Sequence, residues 1–332
     1  MQSCYAPVTV QGTDCDGKRV SQHALSTGDG RFAFNNVPGR SRRVVLKKGS
    51  FRTERALSGT VSTSGATTSP GTGATDEHEV CFDPNAAKIA VIKGSYDRVQ
   101  DLLSHLGFAY DLHDADGSKP IWDYKTGKYI YLPNTTNVLL NRDLLLAHDI
   151  LMVNCGSSVE PSAFGDKWLT VVANLRAFLA AGKSIYVSDW AFPVLEALYP
   201  DVADFLGTDS DVTDVRSGWA PTQTVNATVT NATVAAQVGS DHVNVVFDLG
   251  GWAVMASATA GSEVLIKSNL ARQCPWNSTS CLSNDLKPLN DAPLTILFRS
   301  PSGGKVLYTS FHWDANGTAA MSKLLRAVLL ML

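Results

Sequence analysis

The chain has 332 residues, of which 44% are hydrophobic and 18% charged, and its formal net charge is −3. A chain of that size buries one large core or two smaller ones, and its overall charge gives no electrostatic footprint for nucleic acid. No run of about 18 apolar residues is present, so no segment reads as a membrane-spanning helix.

The charge is unevenly spread. Residues 1–60 carry ten Lys/Arg against four Asp/Glu, and the remainder carries eighteen against twenty-seven, a split that favours two domains. The basic cluster Arg40, Arg42, Arg43, Lys47 and Lys48 has no interleaved aromatics of the kind single-strand binding uses, and reads as a solvated strand face. Met1-Gln2-Ser3-Cys4 leads straight into polar sequence rather than a signal peptide, and Ser3-Cys4 resembles the end of a bacterial lipoprotein cleavage site. The expectation is an exported protein: secreted, periplasmic, or lipid-anchored at the cell surface.

Six cysteines are too few for a disulfide scaffold. Cys274 and Cys281 enclose a short polar loop that a staple would hold, and a disulfide is expected there. Cys4, Cys15 and Cys81 leave their pairing open, and Cys155, at the end of an apolar run, reads as a free buried thiol. Sequons begin at Asn134, Asn226, Asn231, Asn277 and Asn316 and would matter only in a eukaryotic secretory host.

In chain order, residues 5–60 hold short alternating runs at Val8–Val10, Arg31–Phe34 and Arg43–Leu46, separated by turns at Asp29-Gly30 and Pro38-Gly39, which predicts a small antiparallel sandwich. The Ser/Thr/Gly-rich stretch, residues 61–79, cannot bury apolar surface and reads as a linker. A second domain over 80–332 opens with the apolar run Lys88–Gly94. A helix over Tyr96–Leu106, a strand over Phe108–Leu112, a hairpin over Ile121–Leu132 and a helix over Arg142–Ala147 follow. Strands at 150–155 and 184–189 flank a helix over Trp168–Ala181. From about 218 to 270 the pattern turns to short β runs at Val225–Val234, Val243–Phe247, Trp252–Ala256 and Glu263–Ile266, an inserted antiparallel region. Strands Leu294–Arg299 and Lys305–Ser310 and a helix over Ala319–Leu332 close the chain.

Near-continuous apolar strands alternating with helices belong to a parallel sheet buried on both faces, where ligands collect beyond the strands' carboxyl ends. That rule selects Lys93, Gly94, Cys155, Gly156, Ser188, Asp189, Trp190, His312 and Trp313 as candidate site residues. Asp111, His113, Asp114, Asp116 and Asp123 cluster in sequence, but Leu112 stands where a calcium loop needs its first carboxylate and no glutamate follows at the required spacing, so no metal is expected. Nothing calls for a cofactor.

Two resemblances follow from these motifs. Thr27-Gly28-Asp29-Gly30-Arg31-Phe32 with Asn36-Val37-Pro38-Gly39 resembles the carboxypeptidase regulatory-like domains of secreted proteins, implying a transthyretin-like sandwich that acts as a spacer or adhesive module and has no catalytic residues. Lys88–Gly94, Asp149–Gly156, the helix end Phe178–Lys183 and Gly303–His312 together resemble the class I glutamine amidotransferase-like superfamily over roughly residues 86–332. That implies an α/β fold: a flavodoxin-like, mostly parallel sheet with helices on both faces. In active members a cysteine occupies the turn after the strand that here reads Tyr186-Val187-Ser188-Asp189-Trp190, with glycines beside it. Here both are absent, and Asp314 stands where a glutamate partner of the histidine is usual. The resemblance therefore implies a degenerate domain of a secreted bacterial protein, acting by binding or scaffolding on a small molecule, a glycan or a protein at the cell surface. A hydrolase using Cys155 or Ser188 with His312 is the rival. Carbohydrate binding, resting on Trp190, Trp219, Trp252 and Trp313, is a third class.

Overall fold

The structure, a computed structural model, describes residues 7–13, 19–25, 43–48, 51–56, 87–115, 121–123, 128–130, 137–205, 223–248, 251–259, 261–271, 287–311 and 319–332. The chain forms two compact units that divide between Ala87 and Lys88.

In the first unit, β1 (Pro7–Thr13), β2 (Arg19–Leu25), β3 (Arg43–Lys48) and β4 (Phe51–Ala56) form one antiparallel sheet in the order β2-β1-β3-β4. The run Arg31–Phe34 and the five cysteines other than Cys155 lie outside the described residues.

The second unit is built on one nine-stranded sheet. Its parallel part is made from β5 (Ile89–Ile92), β9 (Ile150–Val153) and β10 (Ser184–Ser188), each buried at every position, with β6 (Asp111–His113) at the edge and β17 (Lys305–Thr309) beyond β10. Ile and Val are frequent in these strands because both of their faces are buried, which leaves no solvated side. A hairpin of β7 (Ile121–Asp123) and β8 (Lys128–Ile130) pairs apart from this sheet.

The helices follow from spacing and capping. In α4 (Trp168–Ala180), Trp168, Val171, Val172, Leu175, Phe178 and Leu179 recur at three- and four-residue intervals and are buried, and Gly182 accepts a positive φ of 77° just past its end. In α1 (Val99–His105), Val99, Leu102 and Leu103 face the core. Asn141 caps α2 (Arg142–Leu146) by accepting the Leu144 N–H at 3.0 Å. Short α3 (Pro161–Phe164) and α5 (Pro193–Leu198) both begin with proline, and α7 (Ala319–Leu329) closes the chain with Leu324, Leu325 and Val328 buried. Among the described residues no helix is long and apolar enough to cross a membrane.

The region read as an insertion extends the same sheet. β12 (Gln223–Val229), β13 (His242–Phe247) and β15 (Ser262–Leu270) join it through the eleven-residue β16 (Leu289–Arg299), which runs antiparallel to β17. A two-residue β11 (Ala203–Asp204) pairs with β14 (Ser257–Ala258) beside it. Two local differences stand out. The expected strand Val225–Val234 stops at Val229, and its last residues open α6 (Ala232–Val238), capped by Asn231 and ended by Gly239 at φ 83°. The expected strand Trp252–Ala256 has no regular structure.

Candidate functional site

The tips of β5, β9 and β10 converge because two loops approach closely. A Cβ on Gly94 would lie 2.0 Å from the Cys155 carbonyl oxygen, so only glycine lets the segment after β5 pass the end of β9. The backbone N–H groups of Tyr96 and Asp97 then donate to that same carbonyl at 3.3 and 3.4 Å, and the Ser95 N–H donates to Gly156 O at 3.2 Å. Gly156 has φ 75°, and a side chain there would strike the Tyr96 ring at 2.7 Å.

This approach brings together Asp97, Asn154, Cys155, Ser188 and Asp189, each with essentially no solvent exposure. The Ser188 hydroxyl donates to Asp97 Oδ2 and accepts the Cys155 N–H at 2.9 Å. The Cys155 thiol donates to Asp189 Oδ2 at 3.3 Å, and Asp189 Oδ1 accepts the Ala253 N–H at 2.6 Å. The Tyr308 hydroxyl reaches the Asp189 carbonyl at 3.2 Å. Asn154 completes the floor, donating to Gln100 Oε1 at 2.9 Å. Asp189 is the first residue of a 3₁₀ turn between β10 and α5 and has φ 44°, a left-handed conformation that Asp tolerates better than most residues. The sharp strand-to-helix turn is therefore present without glycines and without cysteine.

Burial sets the protonation of this cluster. Desolvation first, and the nearby Asp189 charge second, push the Cys155 thiol well above its ordinary range, so it stays a thiol at neutral pH. Burial likewise raises the phenols of Tyr186, whose hydroxyl meets Thr309 Oγ1 at 2.9 Å, and of Tyr308.

Of the sequence-selected residues, Gly94, Cys155, Gly156, Ser188 and Asp189 meet at this site. Lys93 is buried just after β5, its N–H bonded to the His113 carbonyl at 2.9 Å. Trp190 is half-buried and donates Nε1–H to Gly251 O at 3.2 Å. His312, Trp313, Asp314 and Trp219, like Cys274 and Cys281, lie outside the described residues. Trp252 is a core residue stacked on Phe247 at 4.0 Å. Asp97 and the Ala253 N–H were missed. Asp97 had a signal, since it lies in the polar tip Ser95-Tyr96-Asp97 directly after an apolar strand.

Among the described residues no group of three or more His, Cys, Asp or Glu is placed to hold a metal ion. The nearest arrangement, His113 and His148 with Asp111, fails because both His148 nitrogens are engaged, Nδ1 by Leu144 O at 3.0 Å and Nε2 by Asp111 Oδ2 at 3.1 Å. A surface depression lined by Asn137, Leu140, Asn141, Arg142 and Asp143 borders the start of α2 and includes none of the strand-tip residues.

No family model matches the chain, and no curated protein matches it. Among solved structures, a cytoplasmic protein from Salmonella typhimurium is 12% identical with a TM-score of 0.42, over 73% of this chain and 97% of that one. A glutamine amidotransferase from Thermotoga maritima is 8% identical with a TM-score of 0.38, over 72% and 81%. A glutamine amidotransferase from Methylobacillus flagellatus is 13% identical with a TM-score of 0.33, over 62% and 69%. Glutamine amidotransferases are thus among the structural neighbours, at a level of likeness that carries none of the functional argument.

Proposed function

We propose that the unit beginning at Lys88 is a non-catalytic binding or scaffolding module of glutamine amidotransferase-like architecture, carried by an exported protein. One observation carries this reading: the residue at the turn after β10 is a fully buried aspartate whose two carboxylate oxygens hold the Ala253 N–H and the Cys155 S–H. Acyl transfer needs a nucleophile that reaches substrate and a base that activates it. At this turn the carboxylate ties β10 to β9 and to residues 251–255 instead. Cys155 is held as a thiol, and the Ser188 hydroxyl both donates and accepts within the cluster. Ligand contact then falls to the more open aromatic side chains near the strand tips, Tyr96, which is 44% exposed, and the half-buried Trp190, each of which offers a ring to a small molecule, a glycan or a protein side chain.

The hydrolase reading has one observation in its favour: Ser188 lies within hydrogen-bond reach of a carboxylate, Asp97, which has the geometry of a base. Ser188 has no solvent exposure, which gives substrate no open approach to its hydroxyl and supports the binding reading over this one.

The test is turnover. Purified protein given glutamine and a panel of simple amides and esters is expected to release no ammonia, acid or alcohol above the buffer rate, with Ser188→Ala and Cys155→Ala indistinguishable from wild type. Turnover that disappears in Ser188→Ala, Cys155→Ala or His312→Ala, with the circular dichroism spectrum unchanged, would replace the binding-module reading by the hydrolase.

A further inference from the structure

The edge of the sheet carries a buried histidine that has no hydrogen-bond partner for its ring among the described residues. His113 is the last residue of β6, a three-residue strand that pairs on one side only, with β5, through Ala90–Asp111, Val91–Leu112 and Ile92–His113. Its ring is buried, and neither ring nitrogen has a hydrogen-bond partner among the described residues. It packs edge-on against His148, with ring centroids 5.7 Å apart. His148 is engaged at both ring nitrogens, Nδ1 with the Leu144 carbonyl at 3.0 Å and Nε2 with the Asp111 carboxylate at 3.1 Å.

We infer that His113 makes the β6 edge acid-sensitive, protonation of its buried ring releasing β6 from β5. A protonated His113 would hold two N–H donors and a positive charge without an acceptor, beside a second imidazole. Swinging the ring into water relieves this, and the ring leads the end of the ladder with it. Little opposes that motion, because β6 is short, pairs on one side and is joined to Lys93 by one N–H···O bond from Lys93 to His113. The charged groups around the ring among the described residues include Asp114, the next residue along the chain, one of whose carboxylate oxygens is buried. Asp111, on the same strand, attracts the proton, but its carboxylate is 72% exposed and therefore screened. From the end of α2 comes His148, which repels it. Lys183 bonds the His148 carbonyl and pairs with Asp149 at 3.2 Å, so its charge is directed at those partners. Lys93 follows β5 alongside.

The direction follows from these positions. Burial foremost, then His148, hold the His113 pKa below the ordinary histidine value, against the pull of Asp111. The released state takes up its proton near pH 6.5 and the paired state only at lower pH, so the β6 pairing is complete above about pH 6.5 and weakens as pH falls toward the lowered value.

Hydrogen exchange on the full chain at pH 7.5 and 5.0, corrected for the intrinsic pH dependence of exchange, tests this. The expected result is a loss of roughly tenfold in protection at 111–113, with β9 and β10 unchanged, and no such loss in His113→Leu. An equal loss in His113→Leu, or none in wild type, overturns the inference. If His113→Leu does not fold, proton NMR titration of the wild-type ring replaces it. A His113 midpoint below that of free histidine, raised in His148→Gln, supports the inference, and a midpoint at or above free histidine overturns it.

Discussion

Substitutions at Asp189 separate what its carboxylate does from what its backbone costs. In Asp189→Ala the fully buried Ala253 N–H loses its acceptor, and an orphaned buried donor costs about 1–3 kcal/mol. Alanine at φ 44° adds about 1 kcal/mol of strain in a left-handed region that aspartate tolerates better. The sum is about 2–4 kcal/mol, a large part of the 5–15 kcal/mol typical of a domain. Asp189→Gly removes the strain but not the orphan and should cost about 1–3 kcal/mol. Asp189→Asn keeps an oxygen for the Ala253 N–H and a residue tolerant of the left-handed region, so it should stay within about 1 kcal/mol of wild type. The expected order of destabilisation is Asn, then Gly, then Ala. Urea unfolding followed by tryptophan fluorescence reads it, with exchange protection of β9 and β10 assigning the transition to the second unit, because a chain of two units need not unfold in one step. Equal stability of Asp189→Ala and Asp189→Asn would show that the Ala253 contact contributes nothing and would remove the basis for calling Asp189 a structural residue.

Gly94→Ala should destabilise by about 3 kcal/mol, because its Cβ meets rigid backbone at 2.0 Å and parts the strand tips. Gly107→Ala, which has φ 77° but nothing within 4 Å, should cost only about 1 kcal/mol, and thermal melts in which the two are equal would contradict the close-approach argument. High pH should unfold the second unit. Cys155, Tyr186 and Tyr308 all have folded pKa values raised by burial, so their contribution is complete below the unfolded values of about 8.5 and 10 and is lost as pH rises above them. Absorbance at the tyrosinate band should show these two phenols ionising only together with unfolding, and their ionisation in protein with native circular dichroism would contradict the burial.

The parallel strands were legible because a strand buried on both faces needs an unbroken apolar run, and Ile89–Ile92, Ile150–Val153 and Lys305–Thr309 supply one each. Where side-chain pattern and backbone pairing part company, legibility ended. The run Val225–Val234 reads as β to its end through Thr233 and Val234, yet Asn231 and Gly239 are the cap and stop of a helix over Ala232–Val238, and those local signals outweigh propensity. Trp252–Ala256 is apolar enough for a strand, but the Ala253 N–H goes to the Asp189 side chain, a partner 64 residues away that no local period encodes. The first part of β16, Leu289–Pro293, is polar and was invisible as strand, so the region before it looked like an insertion. The bulged ladder from β15 to β16 makes it a continuation of the main sheet.

The candidate site was legible by position and not by role. The rule that ligands gather at strand tips selected Cys155, Ser188 and Asp189 and could not tell that all three would point at each other and at Asp97. Cysteine, serine and aspartate are equally the parts of a catalytic site and of a satisfied polar core, and what separates the two is solvent access together with the number of lone pairs and protons already engaged. Here the Ser188 hydroxyl and both Asp189 oxygens have partners, and exposure is nil. The left-handed turn at Asp189 belongs to the same account. Such a conformation persists where its surroundings over-determine it, and here three contacts do so: the Ala253 N–H, the Cys155 S–H, and the Tyr308 hydroxyl on the Asp189 carbonyl. The turn thereby joins β9, β10, β17 and residues 251–255 at one point.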